Sequence, residues 1–142
     1  MQSKTSMPKK TDLEPKWHFI SARGRVLGDL ATEVVKVLMG KDKAFFTPGV
    51  LNHDKVVVTD AAKVVVTGRK EQKKLYIKHS NFPGGLKTFK LSEVRAKDPR
   101  RIVKEAVSGM LPINTLRKKA MTNLYIYPSS EHPHKAQQEA DK

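Results

Sequence analysis

The pentapeptide Lys-Val-Val-Val-Thr occurs twice within 13 residues, at Lys55–Thr59 and again at Lys63–Thr67. A strand with one wetted face alternates apolar and polar side chains, whereas three valines in a row suit a strand covered on both faces. β-Branched side chains also lose χ1 freedom against a preceding helical turn, so both copies read as short strands. The echo spans only five residues, too few for a structural repeat.

The segments around them supply more strands and something to cover them. Trp17–Ser21 (WHFIS) is short, aromatic and β-branched, as a strand should be. After a turn at Gly24, residues Leu27, Leu30, Ala31, Val34 and Leu38 recur at helical spacing, and Gly40 is placed to stop that helix. A further extended piece is predicted at Lys74–Lys78 (KLYIK), running into Ser80–Lys87, where Pro83-Gly84-Gly85 demands a turn or loop. The second half turns helical. Asp98 as N-cap and Pro99 at the first helical position open a helix with an apolar face of Ile102, Val103, Ala106 and Val107, ending near Gly109. Another helix is expected at Asn114–Thr122, then an extended Leu124–Tyr127. Residues 1–16 read as a flexible, weakly basic arm and 128–142 as an extended polar tail. Residues 17–127 then form a single α/β domain, within the size of one core.

Charge narrows the partner. The 142 residues carry 28 Lys plus Arg against 14 Asp plus Glu, a formal net charge of +14. Residues 69–119 alone hold 15 of those cations and only 4 of the acids. A lysine-rich but merely solvated surface would have the same total. Clustering in one third of the chain is what a phosphate-binding footprint requires. With no cysteine, disulfides and thiolate metal sites are excluded. No apolar run approaches the roughly 20 residues of a membrane span. The first sixteen residues lack the apolar core of a secretory signal, and they hold two acids and no arginine, unlike a mitochondrial presequence.

Catalytic constellations fail one by one. Gly40-Lys41 resembles the end of a phosphate-binding loop, but Val35 and Asp42 stand where that motif needs Gly and Ser or Thr. No G-x-G-x-x-G and no G-x-S-x-G occurs, and no carboxylate pair stands out. His132-Pro133-His134, His53-Asp54 and His79 match no ligand spacing, so no metal and no cofactor are expected. These features predict a binding protein with no small-molecule substrate. A small nucleic-acid-processing enzyme is the weakest alternative.

Three clusters carry the RNA reading. The first is Arg69, Lys70, Lys73, Lys74 and Lys78; on a strand, Lys74, Tyr76 and Lys78 share one face, an aromatic between two cations. The second is the Gly84-Gly85 loop beside His79, Lys87 and Lys90. It admits two readings: close backbone approach to a phosphate, or a turn that needs positive φ. The third is Arg117-Lys118-Lys119, whose members cannot all face one way on a helix.

Five blocks in order then resemble a known family: Phe46-Thr47-Pro48 after Gly40-Lys41-Asp42-Lys43; Thr67-Gly68-Arg69-Lys70; His79 through Lys87; Ala106 through Pro112; and Glu131 through Gln138. From Trp17 to about Gln138 the chain is similar to the bacterial-type family of large-subunit ribosomal protein L13. The resemblance implies an α/β/α layered domain around a small four-stranded, mainly parallel sheet. It implies a structural, non-enzymatic role bound to large-subunit ribosomal RNA beside neighbouring ribosomal proteins, early in subunit assembly. The setting would be cytoplasmic, with an organellar origin left open. Lys41, Lys43, Arg69, Lys70, His79, Gly84, Gly85, Lys87, His132 and His134, with Lys135 alongside, become the implied RNA contacts. An extraribosomal regulator of translation is the main alternative. Asp29, Gly49–Asn52, Ile113 and Arg117-Lys118 depart from the family pattern.

Overall fold

The computed structural model describes residues 13–140 apart from Phe45; most of the expected N-terminal arm, residues 1–12, lies outside the described residues. Strand β1 (Trp17–Ser21) leads through Gly24, at φ 70°, into helix α1 (Leu27–Met39). Strand β2 (Lys55–Thr59) and, much later, β5 (Leu124–Ile126) line up beside β1 in the order β1-β2-β5, all parallel. Between them run α2 (Lys70–Lys73), the hairpin β3 (Leu75–His79) and β4 (Leu86–Lys90), then α3 (Leu91–Lys97), α4 (Pro99–Met110) and α5 (Thr115–Thr122). Helix α6 (Lys135–Ala140) follows β5, within the segment expected to be extended.

The central position of β2 explains its three valines. Val56, Val57 and Val58 are all fully buried, each contributing about 1.5–3 kcal/mol relative to exposure. On one face Val56, Val58 and Ile20 join the stripe of α1 (Leu27, Leu30, Ala31, Val34, Leu38) and Ile102, Val103 and Val107 of α4. On the other, the register aligns Phe19, Val57 and Tyr125 in one row. The polypeptide after Tyr127 covers that row with its histidine rings.

Gly40 ends α1 at φ 72°, its N–H donating to the carbonyls of Lys36 and Val37. A Cβ there would stand 2.7 Å from Asn52 Cγ, so only glycine fits on both counts.

The fold is mixed α/β with a mainly parallel sheet, but two expectations change. The second valine run is not a strand. After β2 the chain turns at Asp60 (φ 55°) and makes a 3-10 turn at Ala61–Lys63, and Val65 forms a single parallel bridge with Val26. Pairing stops there because Val26 passes directly into α1, which leaves Val65 nothing further to pair with. The piece at Lys74–Lys78 becomes β3, which pairs antiparallel with β4 as a separate two-stranded unit. The parallel sheet therefore has three strands among the described residues, in place of four.

Candidate nucleic-acid interface

Two basic clefts flank helix α4, which starts where Asp98 accepts a hydrogen bond from the Arg100 N–H and Pro99 fills the first helical position. The first, about 880 Å³, lies toward α5 and β5 and is lined by Arg100, Arg101, Lys104, Arg117 and Lys118. The second, about 690 Å³, lies toward α2 and the start of α1 and is lined by Arg69, Lys70, Lys73 and Lys74. Glu105 lines both, so the clefts meet along α4.

Part of this charge is internally compensated. Arg101 Nε donates to Glu105 at 2.5 Å and Arg100 Nε to Asp98 at 2.9 Å. The Arg100 hydrogen bond holds the Asp98 carboxyl below its ordinary value. Lys104, Lys118 and the Arg117 guanidinium are in no salt bridge among the described residues, so their charge faces the cleft.

The cations of α2 are held by a staple. Arg95 on α3 grips both oxygens of Glu71 at 2.9 and 3.1 Å and donates to the carbonyls of Val64 and Ala62. A planar guanidinium with five donors suits this fork. It fixes α2 against the 61–64 turn, leaving Arg69, Lys70 and Lys73 exposed on the outer side.

Tyr76 does not stand between two cations on an open face, as expected. It is 7% exposed, its ring under Lys74 and Arg101, and burial pushes its hydroxyl above the ordinary tyrosine value. Its register partner is Phe89, so the pair anchors the hairpin to the core. Lys78 and Lys87 stay exposed and directly opposite one another. At the hairpin turn Gly84 takes φ 71°, and a Cβ on Gly85 would fall 2.0 Å from Ser80 Oγ. Both glycines are thus needed to close the turn.

Lys41 is exposed just past α1, while Lys43 turns inward. Its Nζ lies 2.8 Å from Oδ1 of Asp54, a fully buried carboxylate that also accepts from Asn52 Nδ2 at 2.6 Å and the Lys16 N–H at 2.9 Å. Lys43 Nζ also donates to the carbonyl of Glu14, so two residues counted with the N-terminal arm are tied to the domain. His18 Nε2 stands 3.4 Å from Asp54 Oδ2. Together with Asp42, His18 and Asp54 bring donor atoms within 4.8 Å of one another, a set that could hold a cation. The Lys43 ammonium already supplies positive charge to the buried carboxylate there.

His132 and His134 are brought onto the sheet rather than held out from it. His134 lies 5.0 Å from Trp17 and 4.8 Å from Tyr125, with Nε2 at 3.0 Å from the Tyr127 hydroxyl. His132 lies 5.5 Å from Phe19. Burial, then the neighbouring His132 and Lys55, hold His134 below the ordinary imidazole value. Lys119 lies outside the cleft that Arg117 and Lys118 line, and Lys135 is exposed at the start of α6.

Arg100, Arg101 and Lys104 lie outside the contacts expected from the sequence. The signal was present: Arg100 and Lys104 are four apart on a helix whose apolar face is Ile102, Val103 and Val107, so they share its wet side.

Over residues 15–133 the chain matches the family described as Ribosomal protein L13. The chain belongs to the ribosomal protein L13 family. It is 48% identical over 135 residues to the "Large ribosomal subunit protein uL13" of Picosynechococcus sp., covering 95% of this chain and 89% of that one. To the uL13 of Dictyoglomus thermophilum it is 45% identical, covering 94% of each. To that of Staphylococcus saprophyticus it is 42% identical, covering 94% of this chain and 92% of the relative. Members of the L13 family are structural ribosomal proteins, not enzymes. No helix among the described residues is long and apolar enough to cross a membrane.

Proposed function

We propose that this chain is a structural component of the large ribosomal subunit, in the cytoplasm of a bacterial-type cell, that binds large-subunit rRNA and acts early in subunit assembly. The observation that carries this reading is the pair of clefts meeting along α4, lined by nine Lys and Arg side chains. RNA backbones present phosphates along an irregular path, and the two cation-lined clefts form a basic band on either side of α4, broken at Glu105, that suits such a path. Residues 17–127 form the RNA-binding domain in this reading, and the described part of the tail, 128–140, braces its sheet through His132 and His134.

Within that band Arg69, Lys70, Lys73, Lys74, Arg117 and Lys118 act as phosphate contacts, joined by Arg100, Arg101 and Lys104. Lys41, Lys78, His79, Lys87, Lys119 and Lys135 extend it over the surrounding surface. Lys43 serves instead to hold Asp54, Gly84 and Gly85 to shape the hairpin, and His132 and His134 to fasten the tail. Neighbouring ribosomal proteins would meet the surfaces that RNA leaves free.

The decisive experiment is sucrose-gradient fractionation of native extract, with the chain quantified by mass spectrometry. Stoichiometric migration with large subunits, resistant to a high-salt wash, is expected. Recovery mainly in the soluble fraction would overturn the proposal in favour of an extraribosomal regulator. For the isolated protein, contact with about 6–10 phosphates makes rRNA affinity fall roughly 10³- to 10⁵-fold between about 50 and 200 mM salt.

A further inference from the structure

Phe82 occupies the turn between β3 and β4 and is 73% exposed, more than any other described aromatic residue; the next, Phe46, is at 37%. Exposing a phenyl ring in water is unfavourable, yet the turn is built to hold it there. Asn81, just before it, sits at φ 64°, and Gly84, just after, at φ 71°. The Gly85 N–H donates to the Phe82 carbonyl at 2.9 Å and the Ser80 N–H to the Gly85 carbonyl at 3.1 Å. His79 Nδ1 accepts from the Asn81 N–H at 2.9 Å. Two left-handed positions, one of them an asparagine, and three hydrogen bonds fix a six-residue turn whose apex is an aromatic ring.

The strands beneath carry a second anomaly. Lys78 and Lys87 are register partners, directly opposite in an antiparallel pair. Like charges in that position destabilise the pairing, and an anion between them relieves the repulsion. From Lys78 to Lys90 the hairpin holds three lysines and a histidine, with no acidic residue. An exposed ring in the turn, with paired cations on the strands that lead into it, matches one chemical unit: an unpaired nucleotide, with a flat base and an adjoining phosphate.

We propose that the β3–β4 turn is a nucleotide-binding finger, in which Phe82 stacks on an unpaired base of RNA and Lys78 and Lys87 straddle the neighbouring phosphate. This deepens the rRNA-binding reading and rests on it. An apolar protein partner is the rival occupant, because Leu75, Ile77 and Leu86 are also exposed on the hairpin. The absence of acids and the opposed lysines favour RNA.

The test measures affinity of the full chain for protein-free bacterial large-subunit rRNA at several salt concentrations. Phe82→Ala and Phe82→Leu are each expected to weaken binding about 5- to 100-fold with an unchanged salt slope, and Phe82→Trp to retain it. On a Trp17→Phe background, the Phe82→Trp indole should be quenched when RNA is added. Replacing Lys78 and Lys87 together by Ala should instead lower the salt slope by about one, the contribution of one phosphate. Because Phe82 buries little, its variants should keep the wild-type melting temperature, so lost binding would not reflect unfolding. If the unaltered chain fails to bind, the rRNA reading itself falls. If it binds and Phe82→Leu binds equally well, the stacking finger alone is overturned.

Discussion

Lys41 and Lys43 stand two positions apart after α1, yet one reaches solvent and the other a carboxylate with no exposure at all. Asp54 is costly to bury as an anion, and it is tolerable because Lys43, Asn52 and the Lys16 N–H all point at it. Removing Lys43 strands that charge. Lys43→Ala is therefore expected to destabilise the fold by about 3 kcal/mol, the low end of the usual range because the ammonium is 19% exposed. Lys41→Ala should stay within about 0.5 kcal/mol of wild type, while weakening rRNA binding. Urea denaturation of the two variants decides it: equal stabilities would show that the Asp54 contact contributes nothing. In the sequence both lysines fall into one class, because local spacing does not show which cation meets an acid eleven residues away.

Elements whose signals are local were legible before the structure. The α4 boundary came from Asp98-Pro99, and α1 from its stripe and Gly40, because caps and periodicity act within a few residues. Asp98→Ala should cost about 1 kcal/mol, measured by thermal denaturation, since it removes the acceptor at the helix N-terminus. No change would mean that α4 is held by packing alone. What could not be read was pairing. The second Lys-Val-Val-Val-Thr has the composition of a strand, but a strand needs a neighbour, and Val26 offers only one bridge before α1 begins. Conversely, Leu86 and Lys87 fall in the segment expected to be turn or loop, yet Leu86–Lys90 forms β4 because Tyr76 and Phe89 pair across the hairpin and bury themselves against the domain. Only that side of the hairpin is anchored. Ile77 is 66% exposed, so Ile77→Thr is expected to alter stability by no more than about 0.5 kcal/mol. A loss of several kcal/mol would show that the hairpin packs against something in the free protein.

At the scale of the whole molecule, the chain solves one problem with its own end. A parallel sheet must be covered on both faces, and here the helices α1 and α4 cover one face while the polypeptide after β5 returns over the other. Trp17 and Phe19, like Tyr125 and Tyr127, are two apart and so share a face of their strands, but that spacing does not show what lies on the face. His134 makes this cover sensitive to pH. Burial and the adjacent His132 and Lys55 oppose its protonation in the folded state, whereas the unfolded chain takes the proton at the ordinary value near 6.5. The unfolded state therefore binds more protons in the window between the two values, and stability rises with pH across it. The contribution is present above about 6.5 and is lost as pH falls through the lower folded value. The melting temperature is thus expected to drop between about pH 7 and pH 5, and His134→Phe, which keeps a ring against Trp17 and Tyr125 but cannot take a proton, should drop less. Trp17 is the sole tryptophan, and its fluorescence over the same range reports whether the tail lifts from the sheet. An identical acid loss in His134→Phe would place the sensitivity on another group and leave the tail as an apolar cover without a titrating latch.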